Sequence, residues 1–150
     1  MSLASTRKTI MKILLAVDGS KYTKHMLAYL AAHDEFLSAG NTYTAFTVVS
    51  PIPTHAASFV ARDALDGYYR ERADEVLAPV KAFTNQQQWA TEPVHVVGHP
   101  AEAIAHYAEQ HKIELIVMGT HGHTGLANLV LGSVTGGVLA RCTVPVLLIR

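Results

Sequence analysis

The chain has one cysteine, Cys142, so it can form no internal disulfide and no Cys-rich zinc site, which fits a reducing cytosol. Charge of a single sign is missing too: twelve basic residues balance twelve acidic ones, and only 16% of residues are charged. With no net charge to hold a polyanion, nucleic acid is not an expected partner. No apolar run approaches the ~20 residues that span a bilayer. The opening MSLASTRKT has no apolar stretch of the kind a signal peptide needs, and residues 1–9 read as a short loose tail. Repeats and low-complexity tracts are absent, and a hydrophobic content of 49% excludes intrinsic disorder. The remaining 10–150 has the length of one domain, expected to be soluble and cytoplasmic. A chain of this size buries roughly 68–70% of its unfolded surface, enough for a core without staples.

Two kinds of segment alternate along that domain. Ile10–Val17 is apolar apart from Lys12 and runs into Asp18-Gly19-Ser20, a turn with an N-cap signal. Met26, Leu27, Leu30 and Ala31 then share one face of a helix predicted from Lys21 to about Leu37, closed by Gly40-Asn41. Thr42–Val49, rich in β-branched and aromatic residues, reads as a strand, and Pro51-Ile52-Pro53 as a loop. A long helix is expected from Phe59 to Gln88 with its stripe on Leu65, Tyr69, Ala73, Val76, Val80 and Phe83; Pro79 should kink or split it. Glu92–Val97 is a strand, and Pro100 opens a helix whose seam is Ala101, Ile104, Ala105 and Ala108. Glu114–Met118 is a nearly all-apolar strand, followed by a glycine-rich stretch, a helix over Ser133–Arg141 and a strand over Val144–Ile149.

The order β-α-β-α-β-α-β-α-β predicts an α/β fold: a five-stranded, doubly wound parallel sheet with helices on both faces. Runs such as ILLAV, LIVM and VLLI suit strands buried on both sides. In such sheets ligands bind beyond the carboxyl ends of the strands, where strand order reverses. Two strand ends stand out: Val17-Asp18-Gly19-Ser20, and Met118-Gly119-Thr120-His121-Gly122-His123-Thr124-Gly125 leading to Gly132-Ser133. Glycines let backbone N–H groups approach phosphate oxygens, and a helix starting at Ser133 adds unpaired N–H groups and a favourable dipole. Neither GxxxxGK[ST] nor a GxGxxG after the first strand is present, so the common nucleotide-binding signatures are missing.

The spacing Gly119-x2-Gly122-x9-Gly132-Ser133 resembles the G-x2-G-x9-G-[S/T] loop of the universal stress protein family, in its ATP-binding branch. KILLAVDGS, TVVSP, VMGTHGHTGLANLVLGSV and VPVLLIR are similar to that family over residues 10–150. The resemblance implies strand order 3-2-1-4-5 and a nucleotide at the ends of the first and fourth strands. It implies that Asp18 holds ribose hydroxyls or helps place a metal, Val48 touches the adenine, and Met118 lines base or sugar. Gly119, Gly122, Gly132 and Ser133 would wrap the phosphates, Val134 would lend a backbone N–H, and His123 would face the phosphates. The implied ligand is ATP, with AMP or ADP as possible alternatives and Mg or Mn bridging the phosphates. The implied assembly is a homodimer paired through the C-terminal strand.

The chain also departs from the family pattern. His123 stands where the family often carries Arg, so triphosphate affinity is expected to rise as pH falls towards 6. Gly136-Gly137 occupy a helix interior at a cost of roughly 1 kcal/mol each relative to Ala, so that helix is expected to be short or closely packed. His121 with His123, and His95 with His99, lack the spacing of a transition-metal site, and no resident metal is assigned. No catalytic residue is assigned: phosphoryl transfer needs a positioned nucleophile and charge stabilisation, and the loop supplies neither a lysine nor an obvious base. A regulatory nucleotide-binding module is the expectation, ahead of a slow Mg-dependent ATPase or phosphotransferase and of a nucleotide-free structural dimer.

Overall fold

The computed structural model describes residues 9–35, 37, 39–120 and 132–150. Its elements are β1 (Lys12–Ala16), α1 (Lys21–Ala32), β2 (Thr42–Val49), α2 (Thr54–Ala57), α3 (Arg62–Gln86), β3 (Ala90–Val97), α4 (Pro100–Gln110), β4 (Leu115–Gly119), α5 (Ser133–Arg141) and β5 (Val146–Ile149). The strands form one parallel sheet in the order β3-β2-β1-β4-β5.

Side-chain alternation along β1 explains why its sequence is apolar after Lys12. Ile13, Leu15 and Val17 point to one face, where Met26, Leu27 and Leu30 of α1 and Ala73, Leu77 and Val80 of α3 cover them. Leu14 points to the other face and packs with Phe46, Ile116, Ile104 and Ala108 of α4, and Val138 of α5. Ile13, Leu14 and Leu15 are fully buried, each contributing about 1.5–3 kcal/mol relative to exposure. The seam of α4 and the apolar face of α1 lie where their periodicity puts them.

Several boundaries differ from expectation for physical reasons. The first helix ends at Ala32, well before Leu37, because His33 turns the chain: its N–H bonds Leu30 O and its Nδ1 meets Tyr29 O. Asn41 does not close that helix; its Oδ1 accepts the Met11 N–H at 3.1 Å and ties the start of β1 to β2. After the Pro51–Pro53 loop the chain makes a short helical piece, α2, before α3 starts at Arg62. Pro79 does not split α3, which runs unbroken over 25 residues. Both Pro79 and Glu75, whose carbonyl loses its i+4 donor, are exposed, so water can take the missing bond. On the α3 stripe, Leu77 and Thr84 are buried while Leu65, Val76 and Phe83 are half-buried.

Strand ends also shift. β1 starts at Lys12 and not Ile10, β3 begins at Ala90 and not Glu92, β4 runs one residue further to Gly119, and β5 starts at Val146 and not Val144. Trp89 anchors the start of β3, buried and stacked on Tyr43 at a ring separation of 5.0 Å. α5 keeps its full length despite Gly136-Gly137. A Cβ on Gly137 would meet Ala101 Cβ of α4 at 2.5 Å, so α4 and α5 are closely packed at that point.

Candidate functional site

Strand order reverses at β1: the chain steps outward through β2 and β3, then returns to place β4 and β5 on the other side. Beyond the carboxyl ends of β1, β2 and β4 the crevice opens into a cleft of about 440 Å³. Asp18, Val48, Met118, Gly119, Gly132, Ser133 and Val134, far apart in sequence, all line it. Gly122 and His123, like His121, lie outside the described residues. His95 and His99 do not reach the cleft: His95 is exposed on edge strand β3, and His99 is the exposed N-cap of α4.

The turn after β1 is built around Asp18. Gly19 has φ +77°, a left-handed conformation that favours glycine, and it lets the chain turn from Asp18 into the Ser20 N-cap. Ser20 Oγ accepts the Tyr22 N–H at 3.2 Å, opening α1. Asp18 Oδ1 accepts from the Ser20 N–H at 2.9 Å and from the Thr23 hydroxyl at 2.9 Å. Partial burial alone would push the Asp18 carboxyl up; hydrogen bonding from Ser20 and Thr23 outweighs it and holds the group below its ordinary value. Asp18 is therefore a carboxylate at neutral pH, able to accept hydrogen bonds at the mouth of the cleft.

Across from it, the backbone of β2 is presented edge-on. Phe46 O accepts the Val17 N–H at 3.0 Å towards β1, and Val49 O accepts the Gly98 N–H at 3.0 Å on the opposite side. By the alternation of a strand, Val48 directs its N–H and C=O the same way as Phe46, just past the end of β1. At this wall Val48 thus offers a backbone donor and an acceptor beside apolar side chains, Ile104 and Met118 among them.

At the third wall, α5 starts from Gly132, whose φ of −55° and ψ of 155° any residue could adopt, and which makes no side-chain cap. Among the described residues no side chain caps the first-turn N–H groups of α5, groups that suit an acceptor. Among the described residues a Cβ on Gly132 would meet nothing within 4 Å. Gly119 is different: its Cβ would stand 2.7 Å from the carbonyl oxygen of Tyr22, so packing of β4 against α1 already demands glycine there.

The structure adds lining residues that sequence reasoning missed. Thr23, Thr120 and Thr135 are buried hydroxyl-bearing residues in the wall, and Ala16, Val17, Tyr22, Pro100 and Ile104 also line it. Position was the available signal: each threonine lies within five residues of Asp18, Gly119 or Gly132. Pro100 and Ile104 belong to a helix read only for its buried seam.

A doubly wound parallel α/β protein with its cleft at the strand-order reversal is the class that this topology and site define. Residues 9–150 match the model of the universal stress protein family, and the chain belongs to that family. A universal stress protein of Thermus aquaticus is 36% identical over 138 residues, covering 92% of this chain and 97% of the relative. One from Synechocystis sp. is 31% identical over 143 residues and covers 95% of this chain, which spans only 44% of that longer relative. Two solved structures share the fold. A universal stress protein from Archaeoglobus fulgidus in complex with dAMP has TM-score 0.62 and 21% identity, covering 93% of this chain and 98% of its own. A family protein from Arabidopsis thaliana with AMP bound has TM-score 0.65 and 14% identity, covering 93% and 90%.

Proposed function

We propose that this protein is a regulatory module of the stress response that binds an adenine nucleotide, ATP in the first place, in the cleft between β1 and β4. The observation that carries the reading is convergence: the acidic turn, the Val48 backbone, Met118 and the Gly132–Val134 helix start meet around one cavity of nucleotide size. The residues suit the parts of such a ligand. The Val48 N–H and C=O offer a donor and an acceptor to the edge of a base, with Ile104 and Met118 as apolar walls. Asp18, ionised, accepts from sugar hydroxyls. The uncapped start of α5 suits phosphate oxygens, and Gly132 leaves room for them. That relatives of this fold hold AMP and dAMP supports the same assignment. Mg or Mn would bridge the phosphates with few protein ligands, neutralising their charge.

Binding rather than turnover is the proposed activity. Among the described cleft residues neither Lys nor Arg is positioned to stabilise a transferring phosphoryl group. Homodimerisation through β5 is the proposed route by which occupancy reaches other proteins.

Gly132→Val tests the reading. Because among the described residues this position has open space, and its backbone angles are ordinary, the variant is expected to melt like wild type. Its ATP affinity, by titration calorimetry, is expected to fall at least about tenfold as the added side chain displaces phosphate from the helix start. Wild-type protein that binds no adenine nucleotide, or a variant that binds it equally well, overturns the assignment. Phosphate release with magnesium is expected to stay below about 1 s⁻¹, the lower end of ordinary enzymes.

A further inference from the structure

Thr23 lies on the first turn of α1 with 5% exposure, at the edge of the cleft. It bonds Asp18 twice: its Oγ1 accepts the Asp18 N–H at 3.0 Å and its hydroxyl donates to Asp18 Oδ1 at 2.9 Å. A hydroxyl has one proton, so the one directed at Oδ1 is not offered to a ligand. With the Ser20 N–H also on Oδ1 at 2.9 Å, that oxygen is committed to the protein. Oδ2 receives none of these bonds. The terminal torsion of an aspartate is broad and nearly two-fold, so the Ser20 amide and hydroxyl, both from one residue of the same tight turn, leave the carboxylate plane less firmly set. The Thr23 donor, fixed on the first turn of a helix and approaching from a different residue, removes that remaining freedom.

We propose that Thr23 is a positioning residue for sugar recognition: it clamps Asp18 so that Oδ2 alone meets a ribose hydroxyl, and so sets a preference for ribonucleotides over deoxy analogues. The inference rests on the nucleotide reading above and assigns a role to a residue that does not itself hold the ligand. A purely structural Thr23 would affect all ligands alike, whereas a positioning role acts only on the part of the affinity that comes from the sugar.

The test uses the full chain and compares ATP with 2′-deoxy-ATP and 3′-deoxy-ATP by calorimetry, for wild type and for Thr23→Val, Thr23→Ala and Thr23→Ser. Wild type is expected to prefer ATP over at least one deoxy analogue by about tenfold, the scale of one hydrogen bond to a charged group. Thr23→Val should collapse that preference while changing affinity for the disfavoured analogue less than about twofold; Thr23→Ser, which keeps the hydroxyl, should restore it. Thr23→Ala carries the same prediction without filling the methyl space, so a misfolded valine variant does not end the test. Equal losses for all three ligands, an unchanged preference, or failure of the serine rescue overturns the role of Thr23. Wild type that binds ATP without a sugar preference overturns the sugar contact and Thr23 with it, leaving the nucleotide reading standing. Wild type that binds no nucleotide removes that reading, and this inference with it.

Discussion

At the scale of single residues, the two glycines at the ends of the glycine-rich stretch stand in different surroundings. Gly119 faces the carbonyl of Tyr22 at a distance no Cβ tolerates, and that backbone cannot swing aside because it belongs to the first turn of α1. Gly119→Ala is expected to destabilise the fold by about 1–3 kcal/mol, the usual range for overpacking, visible in urea unfolding before any effect on ligand is considered. Gly132→Val should leave unfolding unchanged, so the pair separates packing from binding. Asp18 supplies a test by pH. Its carboxyl is held below its ordinary value in the folded protein, so it adds stability above the unfolded value of about 3.9 and loses it as pH falls through the folded one. Urea unfolding of wild type and Asp18→Asn should therefore show a constant advantage for wild type from neutral pH down to about 5 that shrinks to nothing further down. An advantage that grows on acidification contradicts the hydrogen-bonded turn.

At the scale of elements, α5 tests how close packing overrides propensity. Both of its interior glycines lower helix propensity, yet among the described residues only Gly137 has a neighbour that requires it, Ala101 Cβ on α4. Gly136→Ala is expected to raise stability by about 0.4–1 kcal/mol, since among the described residues its Cβ enters open space. Gly137→Ala is expected to lower it by about 1–3 kcal/mol by forcing α4 and α5 apart. Thermal melts of the two variants should shift in opposite directions; a shared direction means the α4–α5 contact is looser than it stands here. The same contrast shows what was legible beforehand. Strand identity, the two-sided burial of β1 and the seams of α1 and α4 follow from the spacing of apolar residues. The end of α1 at Ala32 did not, because it is set by His33 bonding back to Tyr29 and Leu30 while Asn41 is engaged by Met11. The continuity of α3 through Pro79 depends on which side of the helix faces water, and the piece α2 is too short for any period to register. At the site, Asp18 and Gly132-Ser133 could be picked out because turns and helix starts have local sequence signals, whereas Val48 and Val134 came only with the family resemblance. Thr23 and Ile104 could not, since each looks like an ordinary member of a helix until the fold brings it to the cleft.

At the scale of the whole molecule, cleft and sheet edge are joined by a short path. Thr120, in the cleft wall, donates its N–H to Ile149 O of β5 at 2.9 Å, and Met118 lies in register with Leu148. Pro145 and Ile149 carbonyls face β4, accepting from Ile116 and Thr120, so alternation turns the Val146 and Leu148 backbone to the free edge. β5 is four residues long, with Val146, Leu147 and Leu148 half-buried, an edge with apolar side chains and no proline within it. Such an edge pairs readily with a second copy of itself across a two-fold axis. A nucleotide that orders the end of β4 would then alter the strand that makes the proposed dimer, and linkage requires the dimer to alter nucleotide affinity in return: with one cleft per protomer, saturation changes the dimer's dissociation constant by the square of the per-site factor. The expected outcome is a dimer of twice 16.2 kDa in analytical ultracentrifugation. Saturating ATP should change its dissociation constant by about fivefold or more, the lower end of ordinary coupling between sites. Val146→Lys, a charge placed on the strand edge, should yield monomers whose ATP affinity differs from that of the wild-type dimer by the square root of that factor, about twofold or more. Equal dissociation constants with and without ATP would leave the edge and the cleft as two independent features of one sheet, and the regulatory signal would then have to leave the molecule through another surface.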